Sequence, residues 1–301
     1  MQNCSKNCGK SFLFGRFSTT NKGLINRKEK EPQMILKLMT SNIWADVFGN
    51  PVNGRDAALV ELLSKYAPDV VFLQEAHPHW HESETLKKGL QKLGYRTSIP
   101  DLGSNVLNYT PVLFKADRFA EKENLFFLYS GPNDYTSKSV SGVKLLDTES
   151  GFCFAAFSTH FYFAQNDEGN TARCSNAREL ISCFDKLAPG TAAEFCGGDY
   201  NCPLYSPPFD TLRNAGIETA SLLAEKKINF VRTHHSDPHF DTETGLYSAA
   251  AFSREKNEDS IDHITVRGNK TAVKEYRVII DREALILSDH CPVLITTEIS
   301  Q

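Results

Sequence analysis

Six strand-like apolar runs in this chain carry polar or ionisable residues at one end: Asn42, Glu75, His160, Asp199 with Asn201, Asp262 with His263, and Asp289 with His290. Taken singly, each has a plain structural reading, because Asp and Asn at strand ends start turns through side-chain to backbone hydrogen bonds. Six together require more, since that reading gives no reason for acceptor oxygens and imidazoles to recur side by side.

The runs themselves set the architecture. Met34 to Ile43 reads as a buried strand, residues 55 to 66 place Ala58, Leu59, Leu62, Leu63 and Tyr66 on one helical face, and Pro68 stops that helix. Val70 to Leu73 then forms a continuously apolar strand, completing a strand–helix–strand unit that delivers Gln74 and Glu75. A helix follows over Glu84 to Leu93, and then a meander of strands at 111 to 115, 124 to 129, 139 to 146 and 152 to 159, separated by turn formers such as Gly131, Pro132, Asn133 and Gly151. The alternation resumes with a helix at 172 to 187, a strand at 193 to 197, a helix at 207 to 215, and strands at 228 to 232, 261 to 266, 275 to 281 and 291 to 298. With no internal repeat and no linker, the pattern predicts one α/β domain of two packed sheets with helices outside.

No run of about 18 apolar residues exists, so no membrane-spanning helix is expected. Residues 1 to 33 hold seven Lys or Arg against Glu29 and Glu31, and read as a flexible basic tail or an extension upstream of Met34. Residues 34 to 301 are therefore acidic, with 26 basic against 35 acidic side chains. A domain that tracks long nucleic acid usually has a basic footprint, which this one lacks in sum. The eight cysteines form no CxxC pattern, and Cys153 and Cys196 fall inside apolar runs, where a thiol acts as a small hydrophobe. A reduced, cytoplasmic setting follows.

The strand-end residues suit one reaction. Glu75, Asp289 and the amide oxygen of Asn42 are hard oxygen donors of the kind Mg²⁺ or Mn²⁺ prefers, and the absence of a convergent Cys and His set argues against zinc. Hydrolysis of a phosphoester needs an activated water, a screen for the non-bridging oxygens and help for the leaving oxygen. Asp199 can deprotonate the water, His160 and His290 can donate to phosphoryl oxygens, and Asp262 can hold one imidazole in the useful tautomer.

Six sequence blocks occur in order: Ser41-Asn42; Gln74-Glu75; Ser158-Thr159-His160; Gly198-Asp199-Tyr200-Asn201; Ile261-Asp262-His263; and Ser288-Asp289-His290. Through them the chain resembles the endonuclease/exonuclease/phosphatase superfamily. The resemblance implies a deoxyribonuclease I-like fold, a four-layer α/β sandwich of two mixed or antiparallel sheets flanked by helices. It further implies that Asn42, Glu75 and Asp289 bind the metal, that Asp199 activates water and Asn201 positions it or the phosphate, and that His160 and His290 contact the scissile phosphate. Arg173 and Asn176 stand where many bacterial members carry an Arg and a Gln, which makes them candidate substrate contacts, although a structural role comes first for a helical Arg. The inositol-polyphosphate phosphatase blocks are not matched: Cys196 and Gly197 precede the fourth block, and Ser260 to His263 replaces the later Trp-bearing one. The match is closest to the broad bacterial hydrolases.

Three histidines, His77, His79 and His81, follow Glu75, and Pro78 and Trp80 between them argue for a rim loop rather than a helix. His234 and His235 lie where deadenylase-like relatives have a substrate-proximal Thr and His, and His235 is the candidate contact. Phe161, Tyr162 and Phe163 can stack on a base or sugar, or simply pack. The substrate is a phosphorylated one, either nucleic acid or a small phosphoester. A catalytically silent binding module and a purely structural α/β protein are the readings from other classes.

Overall fold

The computed structural model describes residues 33–47, 49–103, 107–134 and 136–300. The tail expected over residues 1 to 33 lies outside these, apart from Gln33, with which the first strand begins. In chain order the elements are β1 (Gln33–Asn42), α1 (Arg55–Tyr66), β2 (Val70–Gln74), α2 (Pro78–Glu82), α3 (Glu84–Lys92), β3 (Tyr95–Thr97), β4 (Val112–Lys115), β5 (Phe119–Leu128), β6 (Ser139–Asp147), β7 (Cys153–His160), α4 (Asp167–Leu187), β8 (Ala193–Asp199), α5 (Pro207–Asn214), β9 (Glu218–Thr219), α6 (Ala220–Leu223), β10 (Lys226–Ile228), β11 (His239–Asp241), β12 (Leu246–Ser248), β13 (Asp262–Arg267), β14 (Thr271–Val278), α7 (Arg282–Leu287) and β15 (Val293–Ser300).

Two sheets result, one in the order β10-β14-β15-β1-β2-β4-β3 and the other β5-β6-β7-β8-β13-β9, with β11 and β12 forming a separate hairpin. The core between them joins Leu36, Leu38, Val70 and Phe72 of the first sheet to Val143, Phe154, Phe195 and Ile264 of the second. On the outer side of the first sheet, Met39, Val71 and Leu73 pack on Leu59, Leu62 and Leu63 of α1 and Leu287 of α7. On the outer side of the second, Ala155, Phe157 and Cys196 pack on Leu180 and Phe184 of α4 and Leu212 of α5. The layers are helix, sheet, sheet, helix, as the sequence predicts.

The strand directions explain why distant residues meet. Near the middle of each sheet two strands run parallel, β1 with β2 through α1 and β7 with β8 through α4, because parallel neighbours need a crossover that a helix supplies, and β10 adds a second parallel pair with β14 at the edge of the first sheet. Asn42 is paired with Gln74 in the first, His160 with Asp199 in the second, and Asp262 lies opposite Asp199 on antiparallel β13. β1 alternates exposed Gln33, Ile35 and Lys37 with buried Met34, Leu36 and Leu38, then runs buried throughout to Asn42. Gly197 and Gly198 before Asp199 follow from close approach: a Cβ on Gly197 would collide with Phe72 and Thr40 of the facing sheet, and one on Gly198 with Thr159.

Some local expectations are corrected. Residues 78 to 82 form a short helix, not a loop, because Pro78 occupies its first turn, where a missing N–H costs nothing. His77 and His79 both face Asp46, His77 Nδ1 at 3.9 Å and His79 in direct contact, while His77 also packs edge-on against Tyr109 at 4.9 Å and His81 Nε2 meets the Asn108 carbonyl at 3.0 Å. The strand expected at 228 to 232 is Lys226–Ile228, and Cys153, expected buried, is only partly so at the start of β7. The strands β3, β9, β11 and β12 and the helices α6 and α7 have too few residues to show a period in sequence.

Candidate active site

The polar strand ends converge. Asn42 Nδ2 donates to Glu75 Oε1 and to Asp199 Oδ2, both at 3.1 Å, tying the first sheet to the second. Its amide oxygen, the expected metal ligand, accepts from the Trp44 N–H at 2.9 Å. That backbone donor fixes which end of the amide faces the carboxylates. Glu75 and Asn201 sit just past their strands in left-handed conformations, with φ of 61° and 50°, and Trp44 has φ of 56°. Such backbone is tolerated where surrounding contacts over-determine it. Here Glu75 Oε2 accepts the Ala45 N–H at 2.7 Å, and the Asn201 N–H binds Asp199 Oδ1 at 2.8 Å.

His160 Nε2 lies 3.5 Å from Asp199 Oδ2 and 4.0 Å from Glu75 Oε1. His290 Nε2 lies 4.0 Å from Asp199 Oδ2 and 4.0 Å from Asp289 Oδ1, and its Nδ1–H donates to Asp262 Oδ2 at 2.8 Å. Asp262 thus orients His290, the pairing that the sequence left open. Around Glu75, His160, Asp199, Asn201 and His290 there is a cavity of about 260 Å³.

Electrostatics separate these groups. Burial, followed by the facing Asp262 carboxylate, pushes Asp199 up to about 7. Burial and the adjacent Lys138 ammonium hold His160 well below the usual imidazole value, so Nε2 accepts from Lys138 Nζ at 3.0 Å. For His290 burial works downward, but Asp262, Asp289 and Asp199 outweigh it and raise the imidazole well above its ordinary value. Burial would raise Asp289, yet His290, His234 and the Ser288 hydroxyl hold it down at about 2.

The donor set fits a divalent cation. Three overlapping groups, Glu75-His160-Asp199, Asp199-Asp262-His290 and His234-Asp289-His290, have ligand atoms within 4.8 Å of one another inside each group. Four carboxylates share this strip, and Asp262 Oδ1 is buried with no hydrogen-bond partner among the described residues. Such an excess of buried negative charge is what a bound cation offsets.

Residues 39–290 match the sequence model of the endonuclease/exonuclease/phosphatase family. The chain belongs to this family. Its members are phosphoric ester hydrolases, and this chain is one of them. No curated protein sequence matches it. An endonuclease/exonuclease/phosphatase family protein from Bacteroides thetaiotaomicron superposes with a TM-score of 0.70 at 20% identity, over 89% of this chain and 99% of that one. A mannosyl-6-phosphatase from Bacteroides thetaiotaomicron VPI-5482 gives 0.67 at 20% identity, over 86% and 98%. The human Nocturnin catalytic domain with bound sulfate gives 0.62 at 16%, over 90% and 100%. At these identities the likeness is one of fold.

Within this endonuclease/exonuclease/phosphatase domain, Arg173 and Asn176 do not reach the cavity. Both are buried on α4 and bind the loop after β7: Arg173 donates to the carbonyls of Tyr162 and Ala164 at 3.0 and 2.7 Å, and Asn176 Oδ1 accepts the Tyr162 N–H at 3.1 Å. They shape the loop that follows His160. His235 also turns away, donating from Nδ1 to the Ser236 carbonyl at 2.8 Å, while His234 stands beside Asp289 at 3.6 Å and edge-on to His290 at 4.9 Å. Lys138 went unrecognised in the sequence, where a single Lys in front of an apolar strand looks like any solvated cation. It is buried and ion-paired to Asp134 at 3.5 Å as well as bonded to His160. Phe161 is buried against Tyr129 and Tyr200, whereas Phe163 is half-exposed at the cavity rim.

Proposed function

We propose that residues 34 to 301 form one Mg²⁺-dependent phosphoesterase domain, with Mn²⁺ able to replace Mg²⁺, that hydrolyses a phosphodiester or phosphomonoester. The observation that carries this reading is the 4.0 Å approach of His290 Nε2 to Asp199 Oδ2. A carboxylate poised near neutrality there faces an imidazolium across one small cavity, which is the separation of base and acid that hydrolysis at neutral pH requires.

In this reading Asp199 takes the proton of the attacking water. Asn201 holds Asp199 in place through its N–H, since its side chain is engaged with the Phe161 carbonyl at 3.0 Å. Asp262 fixes His290 with Nε2–H toward the cavity, where it donates to a phosphoryl oxygen. Neutral His160 holds the Lys138 ammonium through Nε2, and Lys138 donates to the remaining phosphoryl oxygens. Glu75 and Asp289 would hold the cation, with Asn42 clamping Glu75 to Asp199; a bound Mg²⁺ supplies charge neutralisation and a more acidic water. Thiols carried as core hydrophobes at Cys196, Cys202 and Cys291 support a reducing, cytoplasmic setting.

A phosphorylated small molecule is favoured over duplex nucleic acid by the acidic balance of residues 34 to 301. The test is a panel of sugar phosphates, single-stranded DNA, RNA and phospholipid head groups, assayed with Mg²⁺ and again with a chelator. Turnover that chelation abolishes is expected. Metal-independent turnover, or none on any substrate, rejects the reading.

A further inference from the structure

A second cavity, of about 480 Å³, opens beside the first and shares His234 with it. Its volume lies in the range of ordinary small-ligand sites, about 300–1,000 Å³. Two chain segments form its walls, and backbone bonds hold them to each other and to the catalytic strip. The Arg232 N–H binds the Glu255 carbonyl at 3.0 Å, Val231 bridges to Lys256, and the His235 N–H binds the Asp289 carbonyl at 2.8 Å. The cavity is therefore formed before any ligand arrives, and its position relative to Asp289 is set by the backbone.

Its lining has a definite chemistry. Arg232 Nη1 and Glu255 Oε2 form an ion pair at 3.0 Å, both partly exposed, so a forked donor lies beside a carboxylate acceptor with little net charge between them. Ser253 adds a hydroxyl, and Phe252 adds an apolar ring, held edge-on to His235 at 5.9 Å and 74°. A second phosphate would meet Glu255 together with Arg232 and find its charge opposed. Adjacent hydroxyls, which donate and accept at once, match an Arg–Glu pair, and the C–H face of a saturated ring matches Phe252.

We propose that this cavity binds the alcohol part of the substrate, a polyhydroxylated ring of sugar size, while its phosphate lies between His290 and Asp199. The proposal rests on the phosphoesterase reading and narrows its substrate to sugar phosphates. His234 stands at the junction, reached by both parts of such a ligand, and Arg232, Glu255, Ser253 and Phe252 set the specificity without touching the reacting atoms.

The experiment uses the full chain with Mg²⁺ and compares a hexose phosphate with p-nitrophenyl phosphate, which carries no hydroxyls on its ring. Glu255→Gln is expected to raise KM for the hexose phosphate about tenfold, leaving its kcat and both constants for p-nitrophenyl phosphate unchanged, as the loss of one good hydroxyl contact implies. Glu255 is on the surface, so its variant folds, which circular dichroism checks. Equal effects on the two substrates, no effect on either, or selective loss for a nucleotide in place of the hexose phosphate would overturn the proposal while sparing the phosphoesterase reading. If nothing is turned over, that wider reading fails, and the cavity is judged by ligand-observed NMR with a methyl hexoside. Saturation transfer to the wild type that Glu255→Gln removes supports the proposal, and no transfer to the wild type defeats it.

Discussion

Arg55 Nη1 donates to the Leu287 carbonyl at 3.1 Å, joining residues 232 positions apart. The same guanidinium binds the carbonyls of Ile43, Trp44, Asn50 and Pro51 and lies within 5.1 Å of the Trp44 and Trp80 ring centroids. Ile43 and Trp44 follow Asn42, and Leu287 precedes the Ser288-Asp289-His290 block, so one buried cation ties together two site-bearing loops. Arg55→Met takes a donor from five carbonyls, of which Pro51 keeps the Tyr247 hydroxyl and Trp44 the Trp80 indole N–H, and is expected to cost at least about 3 kcal/mol in urea denaturation. It should also raise the Mg²⁺ concentration needed for half-maximal activity. A variant as stable as the parent contradicts this role.

Asp199→Asn removes the proposed proton acceptor without changing its shape. The kcat should drop about 100- to 10,000-fold, the range of general-base contributions. Thermal stability should hold or rise, because the substitution removes a carboxylate that burial first, and then the facing Asp262, pushes up to about 7. Calorimetry and steady-state kinetics on the same preparation read both; full activity in the variant excludes Asp199 as the base.

His290 is kept protonated by its carboxylate neighbours, of which Asp262 is the foremost. Removing that charge in Asp262→Asn lowers the imidazole's proton affinity, so the alkaline limb of the kcat/KM profile should move to lower pH. A profile that keeps its alkaline limb would show that His290 does not serve as the acid.

His263 supplies a stability test away from catalysis. Burial pushes it down to about 4, and its Nε2–H is shared by the Ser260 and Cys202 carbonyls at 2.9 and 3.3 Å. The unfolded chain protonates this side chain near 6.5, well before the folded one does. Its contribution is thus complete above pH 6.5 and is lost as pH falls through about 4, amounting to about 3 kcal/mol. His263→Gln keeps a donor but does not titrate, so its stability should fall less steeply over that window. Parallel curves for the two proteins would show that His263 does not titrate there.

The strand and helix framework was readable because apolar periodicity is local. The buried run Val70–Gln74 and the helical face of Leu59, Leu62 and Leu63 need only their own residues to declare themselves. The same locality explains what was missed. Pro78 reads as a helix breaker unless its place in the first turn is known. His234 and His235 are adjacent and chemically identical in sequence, and only the bridge of His234 to His290 decides which ring faces Asp289.

Residue types and their order were enough to establish the family blocks and the hard-oxygen, imidazole-rich chemistry, since these are properties of side chains alone. Burial, orientation and pairing between distant segments are not. The turning of the Asn42 amide toward two carboxylates, the burial of Lys138 against His160, the withdrawal of Arg173 and Asn176 into the loop after β7, and the opposed protonation of Asp199 and His290 all depend on distances between segments that the chain keeps apart. Those distances exist only once the sheets have packed, because charge interactions and desolvation act through space rather than along the chain.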